Sequence, residues 1–283
     1  MNNPLTQVGK SLSQAVFSIA GSDPCGGAGI QADLKTFTAV GVYGAAAITC
    51  LTAQNTKGVQ SYREVSADFV AQQIGAVLDD LPVSHIKTGM IGTAAVAEVV
   101  GNFLRDFRGE IICDPVLASS HGESLFSGNL DSFCQNILSR TTVVTPNLHE
   151  LQNLTGVTCT TTEEILKSAS RLLEQYPRLR AVVIKGGHID EKNRQVVDTL
   201  LLKQSRGHPT SSTIIHDRVP TRNTHGTGCT FAAAYAAYHL LHGNDREAFR
   251  GAVSFMDQVI NRSKDHTIGH GKGPLLHHLF RPY

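Results

Sequence analysis

Short runs of apolar, often β-branched residues alternate along this chain with longer stretches in which apolar residues return every three or four positions. AVFSIAG (15–21) and AAAITCLTAQ (45–54) read as strands, and GIQADLKTFTAVG (29–41) between them reads as a helix that stops at a glycine. SADFVAQQIGAVLDDL (66–81) carries a serine cap ahead of helical spacing. HIKTGMIG (85–92) is a short strand and turn, followed by a helix over 93–107. EIICDPV (110–116) and TVVTPN (142–147) are strands stopped by proline. NLHELQNLTG (147–156) opens a helix, TTEEILKSASRLLEQY (161–176) is amphipathic with a capping signal, and AVVIKGG (181–187) is a strand running into a tight turn. VVDTLLLK (196–203) and STIIHD (212–217) predict an antiparallel hairpin, and helices over 227–242 and 245–263 close the chain. This alternation predicts an α/β fold with a largely parallel sheet, in one domain spanning 15–283 behind a flexible N-terminal extension of residues 1–14.

Composition narrows the class. A chain of 283 residues buries about three quarters of its unfolded surface. Its net charge of +1 supplies no field suited to nucleic acid or an acidic membrane. The N-terminus MNNPLTQVGKSLSQ lacks an apolar core for export, and the apolar runs fall far short of the ~18 residues of a membrane span. Six cysteines (25, 50, 113, 134, 159 and 229) are scattered with neither a CxxC pair nor zinc-site spacing. That argues against zinc and for a reduced, cytoplasmic setting.

In a parallel sheet, ligands sit at the carboxyl ends of the strands. The polar, glycine-rich segments fall there: AGSDPCGGAG, TAQNT, KTGMIG, DPVLASS, TPNLHE, KGGH and THGTGCT. In GTGC (Gly226, Thr227, Gly228, Cys229) a helix start leaves N–H groups without intrahelical acceptors, which makes an anion site. The spacing matches neither a Walker loop nor the dinucleotide GxGxxG, and a plain tight turn explains the glycines equally well. A thiol in the first turn of a helix is expected to have a lowered pKa, fit to take a proton from a hydroxyl; the bland alternative is a small packing residue.

In TPNLHE, Thr145 precedes the strand-stopping proline. Asn147 and Glu150 stand three apart, which suits Mg²⁺ held partly through water, or simple helix capping. Lys185 of KGGH reaches phosphate as a point charge or is solvated. Asp33 and Gln54 offer a carboxylate and an amide to a small heteroaromatic ring, with Gly21 giving close approach and Met90 and Val116 as apolar walls.

As a set and in this order, AGSDPCGGAGIQADLKTF, AQNT, KTGM, TPNLHE, KGGH, NTHGTGCT and GKGPLLHH resemble the hydroxymethylpyrimidine/phosphomethylpyrimidine kinases of thiamin biosynthesis, members of the ribokinase-like superfamily. The resemblance covers residues 16 to 279. It implies a central, mostly parallel β-sheet flanked by helices on both faces, and a homodimer. It also implies MgATP as donor to 4-amino-5-hydroxymethyl-2-methylpyrimidine and then to its monophosphate.

By motif it assigns Gly21, Asp33, Gln54, Met90 and Val116 to the pyrimidine, and Lys185, Asn147 and Thr145 to ATP and phosphate. Glu150 and Asn147 fall to Mg²⁺ through water, and Gly226, Thr227, Gly228 and Cys229 to the catalytic turn. Cys25 departs from the serine or glycine common among relatives, and LASSHGES (117–124) is a candidate lid. Two alternatives stand beside this reading: a pyridoxal kinase, which uses the same framework, and a pyrimidine-binding regulator without chemistry.

Overall fold

A sheet buried on both faces needs apolar side chains at odd and even strand positions alike, and this chain supplies them. A computed structural model describes residues 14–117, 125–188 and 194–280. Its strands are β1 (Ala15–Ser22), β2 (Tyr43–Asn55), β3 (Gly58–Glu64), β4 (Val83–Thr88), β5 (Gly92–Thr93), β6 (Glu110–Cys113), β7 (Phe126–Ser127), β8 (Val143–Val144), β9 (Ala181–Ile184), β10 (Gln195–Leu202) and β11 (Thr210–Asp217). The helices are α1 (Gly29–Val40), α2 (Ala67–Asp80), α3 (Ala94–Asp106), α4 (Leu130–Asn136), α5 (Leu148–Thr155), α6 (Thr162–Gln175), α7 (Thr227–His242) and α8 (Asp245–Ser263).

Consecutive strand residues sort into two cores. Phe17, Ile111, Val144 and Val182 pack with α2, α3, α5 and α6 on one face. Their neighbours Val16, Ile112, Val143 and Val183 pack with α1, α7 and α8 on the other. Helix α7 is apolar nearly all round, and its buried alanines let it lie close between the sheet and α8.

The main sheet runs β11-β10-β9-β8-β6-β4-β1-β2-β3. The pairings from β9 through β2 are parallel, while β2–β3, β9–β10 and β10–β11 are antiparallel. After β1 the chain adds β2 on one side and then returns to add β4 on the other. That reversal opens a crevice outside the carboxyl ends of β1 and β4.

Four elements escape the sequence pattern, among them the two-residue strands β5 and β7, too short for alternation to show. Strand β3 folds back on β2, yet it is exposed along most of its length, so no apolar alternation marks it. Helix α4 has seven residues, too few for a helical period to show. The N-terminal extension up to residue 13 and the lid segment from 118 to 124 lie outside the described residues. Among those described, no helix is long and apolar enough to cross a membrane.

At the amino ends of β4 and β6 a buried polar network joins sheet to helices. Arg180 donates to Asp245 at 2.9 Å and to Glu110, and also to His239 Nε2 at 3.0 Å. Because a guanidinium only donates, His239 carries its proton on Nδ1 and gives it to His85 Nε2 at 3.0 Å. His85 in turn donates from Nδ1 to Ser84 Oγ at 2.8 Å.

Both imidazoles are therefore neutral. Burial pulls His85 from 6.5 down to about 4 and lowers His239 as well. The unfolded chain binds these protons first, so the network's stability is complete above about pH 6.5 and is lost as pH falls from there toward about 4. His85 alone accounts for on the order of 3 kcal/mol of that loss. Thermal melts at successive pH values should show Tm falling across this window. A Tm that holds level from neutral pH down through this window rules the network out as the cause.

Candidate active site

The turn between β1 and α1 is built around one carboxylate. Asp23 accepts the N–H groups of Cys25 (2.9 Å), Gly27 (3.0 Å) and Ala28 (2.8 Å), and Lys35 ties the Gly26 carbonyl at 2.7 Å. His225 Nε2 lies 2.8 Å from Asp23 Oδ2, so this histidine faces the β1–α1 turn. Burial pushes the Asp23 carboxyl up, but the His225 and Cys25 hydrogen bonds outweigh it and hold the group well below the usual range.

The turn that leads into α7 lies against this one. Gly226 sits at φ 80°, and a Cβ there would overlap the Gly27 carbonyl. No side chain caps α7, and the first intrahelical donor is Thr230, to Gly226 O at 2.9 Å. The N–H groups of Gly228 and Cys229 precede that donor and point out of the helix end.

Opposite stands a charged cluster. Lys185 Nζ is 2.7 Å from Asp114 Oδ1 and 3.6 Å from Glu150 Oε2. A Cβ on Gly228 would come 3.4 Å from Lys185 Nζ and 3.5 Å from Asp114 Oδ2. The helix end, the ammonium and the carboxylates thus surround one small space. Burial pulls the Lys185 pKa down, but Asp114 and Glu150 reverse that and keep it charged. Burial pushes Glu150 up to about 7 against the pull of Lys185. Asn147 and Glu150 form a capping box on α5, with Asn147 accepting the Glu150 N–H at 2.9 Å and Glu150 accepting the Asn147 N–H at 2.7 Å. Thr145 stands apart from the space, wholly buried with its hydroxyl on Cys113 O.

Below the crevice floor Lys87 and Asp33 make an ion pair of 2.9 Å in which neither side chain has any exposure. Ser18 donates to the same Asp33 oxygen at 2.6 Å. Asp33 therefore faces Lys87 and Ser18 rather than open space, a placement that its position one turn into α1 does not reveal. Gly21, Cys50 and Met90 converge nearby: a Cβ on Gly21 would lie 3.1 Å from Cys50 Sγ and 3.2 Å from Met90 Sδ. Thr49 holds the Met90 carbonyl at 2.6 Å. Gln54 is half-buried near the tip of the β2–β3 hairpin, and Val116 is half-buried just past Asp114.

One expectation is reversed. The start of α7 does not lower the Cys229 pKa: burial pushes the thiol up to about 11, with Lys87 and the Gly29 N–H pulling it down and Asp114 and Asp33 pushing it up. Depth in the crevice outweighs the helix end, so the ligand-free thiol holds its proton.

Asp23, Lys87 and Asp114 belong to this region and were missed by motif reading. The signals were present, since Asp114 follows directly on the apolar strand EIIC and Lys87 is a cation inside a strand that is otherwise buried.

The sequence profile of the phosphomethylpyrimidine kinase family matches residues 23–276. The chain is 37% identical over 264 residues to the hydroxymethylpyrimidine/phosphomethylpyrimidine kinase of Escherichia coli K12, covering 92% of this chain and 96% of that protein. Among solved structures, the pyridoxal kinase of Staphylococcus aureus in complex with ADP superposes with a TM-score of 0.81 at 31% identity, covering 93% of each chain. The phosphomethylpyrimidine kinase of Clostridium difficile 630 superposes at 0.74 and 29% identity, over 87% of this chain and 99% of that one.

Proposed function

Since this chain belongs to the phosphomethylpyrimidine kinase family, we propose that it uses ATP to phosphorylate 4-amino-5-hydroxymethyl-2-methylpyrimidine and then its monophosphate, supplying the diphosphate for thiamin biosynthesis. The observation that carries the site assignment is the convergence of the open α7 end, Lys185 and Asp114 on one space.

In this reading the N–H groups of Gly228 and Cys229, after the hinge at Gly226, take the oxygens of the transferring phosphoryl group and Lys185 neutralises them, while Thr227, whose N–H turns to Thr224 O at 3.5 Å, holds the turn. Gly21, Met90, Val116 and the Gln54 amide hold the pyrimidine. Asp33 acts through Lys87, whose charge it keeps at the crevice floor. Asp114 Oδ2 is buried without a partner among the described residues, which suits a cation. Asp114 and Glu150 would hold Mg²⁺, with Asn147 reached through water, and when bound the ion would neutralise phosphate charge. Thr145 supports this shell through β8 rather than by contact.

Cys229 is assigned to the substrate hydroxyl. A thiol that keeps its proton accepts no other, so the groups around it matter. With the Asp114 charge engaged, burial and Asp33 still oppose the thiolate, and Lys87 and the Gly29 N–H favour it with one opposing charge fewer. Phosphoryl transfer through a loose transition state asks little of a base and much of alignment.

Incubation with the pyrimidine alcohol and MgATP, followed by mass analysis, should give the mono- and then the diphosphate. Absence of both products removes the assignment, and a higher kcat/KM on pyridoxal would move it to vitamin B6. Gly228→Val should raise the ATP KM by roughly tenfold, about 1.4 kcal/mol, because its bulk meets Lys185 and Asp114 where phosphate must approach. An unchanged ATP KM in that variant counts against the anion site.

The proposed assembly is a homodimer in the cytoplasm. All six cysteines are free, which suits a reducing compartment. Leu51, 49% exposed on β2, offers an apolar contact for a second copy, testable by sedimentation.

A further inference from the structure

Cys25 and His225 are two hundred residues apart, and no metal-site spacing in the sequence joins them. The fold brings both onto Asp23. Asp23 Oδ2 lies 2.8 Å from His225 Nε2 and 3.4 Å from Cys25 Sγ, and one ligand atom from each of the three lies within 4.8 Å of the others. A tetrahedral zinc ion with bonds of about 2.0–2.3 Å spaces its ligand atoms roughly 3.3–3.6 Å apart. The two separations to Asp23 therefore need to change by about half an ångström or less, while the sulfur and imidazole nitrogen, within 4.8 Å of one another, draw together.

Sulfur, imidazole nitrogen and carboxylate oxygen form a borderline-soft donor set, suited to Zn²⁺ and poor for Mg²⁺. We propose that Asp23, Cys25 and His225 form a binding site for a zinc-class divalent cation, with water as the fourth ligand, clasping the β1–α1 turn to the turn that opens α7.

Support for the ligands is already in place. Asp23 Oδ2 also accepts the N–H groups of Gly27 and Ala28, which fix its orientation, so the ion would take the places of the His225 and Cys25 protons on that oxygen. The His225 backbone is pinned by its N–H to Gly273 O at 3.1 Å, and its ring rests on Gly27, where a Cβ would collide with it. Two protons now fill the centre of the trio, one from the thiol and one on His225 Nε2. On binding, the thiol proton leaves to solvent, and the imidazole coordinates through Nε2 with its proton on Nδ1. Affinity must therefore rise with pH. The two clasped turns frame the proposed phosphate site, and their backbones touch at Gly27 and Gly226. A bound ion restrains their separation without entering that site, so the proposal stands apart from the kinase assignment.

The test uses the full chain stripped with chelator. Zn²⁺ titrated against a chromophoric chelator should show one equivalent bound and a raised Tm, and Mg²⁺ should not compete. Co²⁺ in place of Zn²⁺ should give a thiolate-to-metal charge-transfer band. Cys25→Ser, which keeps a small polar side chain of nearly the same shape at this half-buried position and so keeps the fold, should lose that band and weaken Zn²⁺ binding at least about tenfold. His225→Ala should weaken it too. Undiminished Zn²⁺ uptake by Cys25→Ser places the metal on another cysteine and overturns the proposal, as does the absence of uptake by the unaltered chain. Loss of the cobalt band with kinase turnover intact supports it independently of the catalytic reading.

Discussion

Cys229→Ala is expected to lower kcat by roughly 10² to 10⁴-fold, the range for losing a positioned proton acceptor, and to leave the ATP KM close to its starting value. The two effects separate because they come from different atoms of one residue. The Cys229 sulfur meets the Gly29 N–H and the field of Lys87. The Cys229 backbone N–H belongs to the open end of α7, and alanine keeps it.

A loss confined to kcat and kcat/KM marks an interaction made only in the transition state. The starting thiol pKa of about 11 adds a second readout. Alkylation of Cys229 in the ligand-free protein should be slow near neutrality and should accelerate as pH rises, since only the thiolate reacts. Near-normal turnover by the alanine variant, measured under single-turnover conditions, reduces the sulfur to packing.

Lys87→Met should cost about 3–5 kcal/mol of stability, the usual penalty for stranding one member of a buried ion pair. In a chain of this size that is of order 10 °C in Tm. Its partner Asp33 has no exposure at all, and only Ser18 would remain to hydrogen-bond the carboxylate. Methionine matches the length of lysine, so the loss reads out charge rather than a cavity.

The double variant Lys87→Met/Asp33→Leu should recover much of the stability, because it leaves no unpaired charge behind. Yet it should not recover turnover, since the charge beneath Cys229 is gone in both. Paired melting and kinetic measurements separate the two roles. A single variant that melts like the parent shows that the pair carries no weight in the fold.

The sheet's strands and most helices were readable because period two and period 3.6 are properties of short stretches of chain. Strand ends such as KTGM and TPNLHE marked the site for the same reason: glycine, proline and capping residues announce themselves locally. Helix capping by Asn147 and Glu150 was one of two readings their spacing left open, and the structure shows the capping box. Strand β3 and helix α4 were not legible, one for want of a buried face and the other for want of length.

Electrostatics was the least legible part. Cys229 at a helix start predicts a lowered pKa, but the crevice walls decide the sign, and they come from α1, β4 and the segment after β6. The sequence by itself determined the order of elements, the parallel sheet and the positions at which chemistry is exposed, since each follows from patterns a few residues long. Only the tertiary structure decided that Lys87 meets Asp33 across 54 positions and that Asp23 meets His225 across 202. Those meetings depend on which strand lies beside which, and strand order is settled by the joint packing of two cores, a condition that no single stretch of sequence contains.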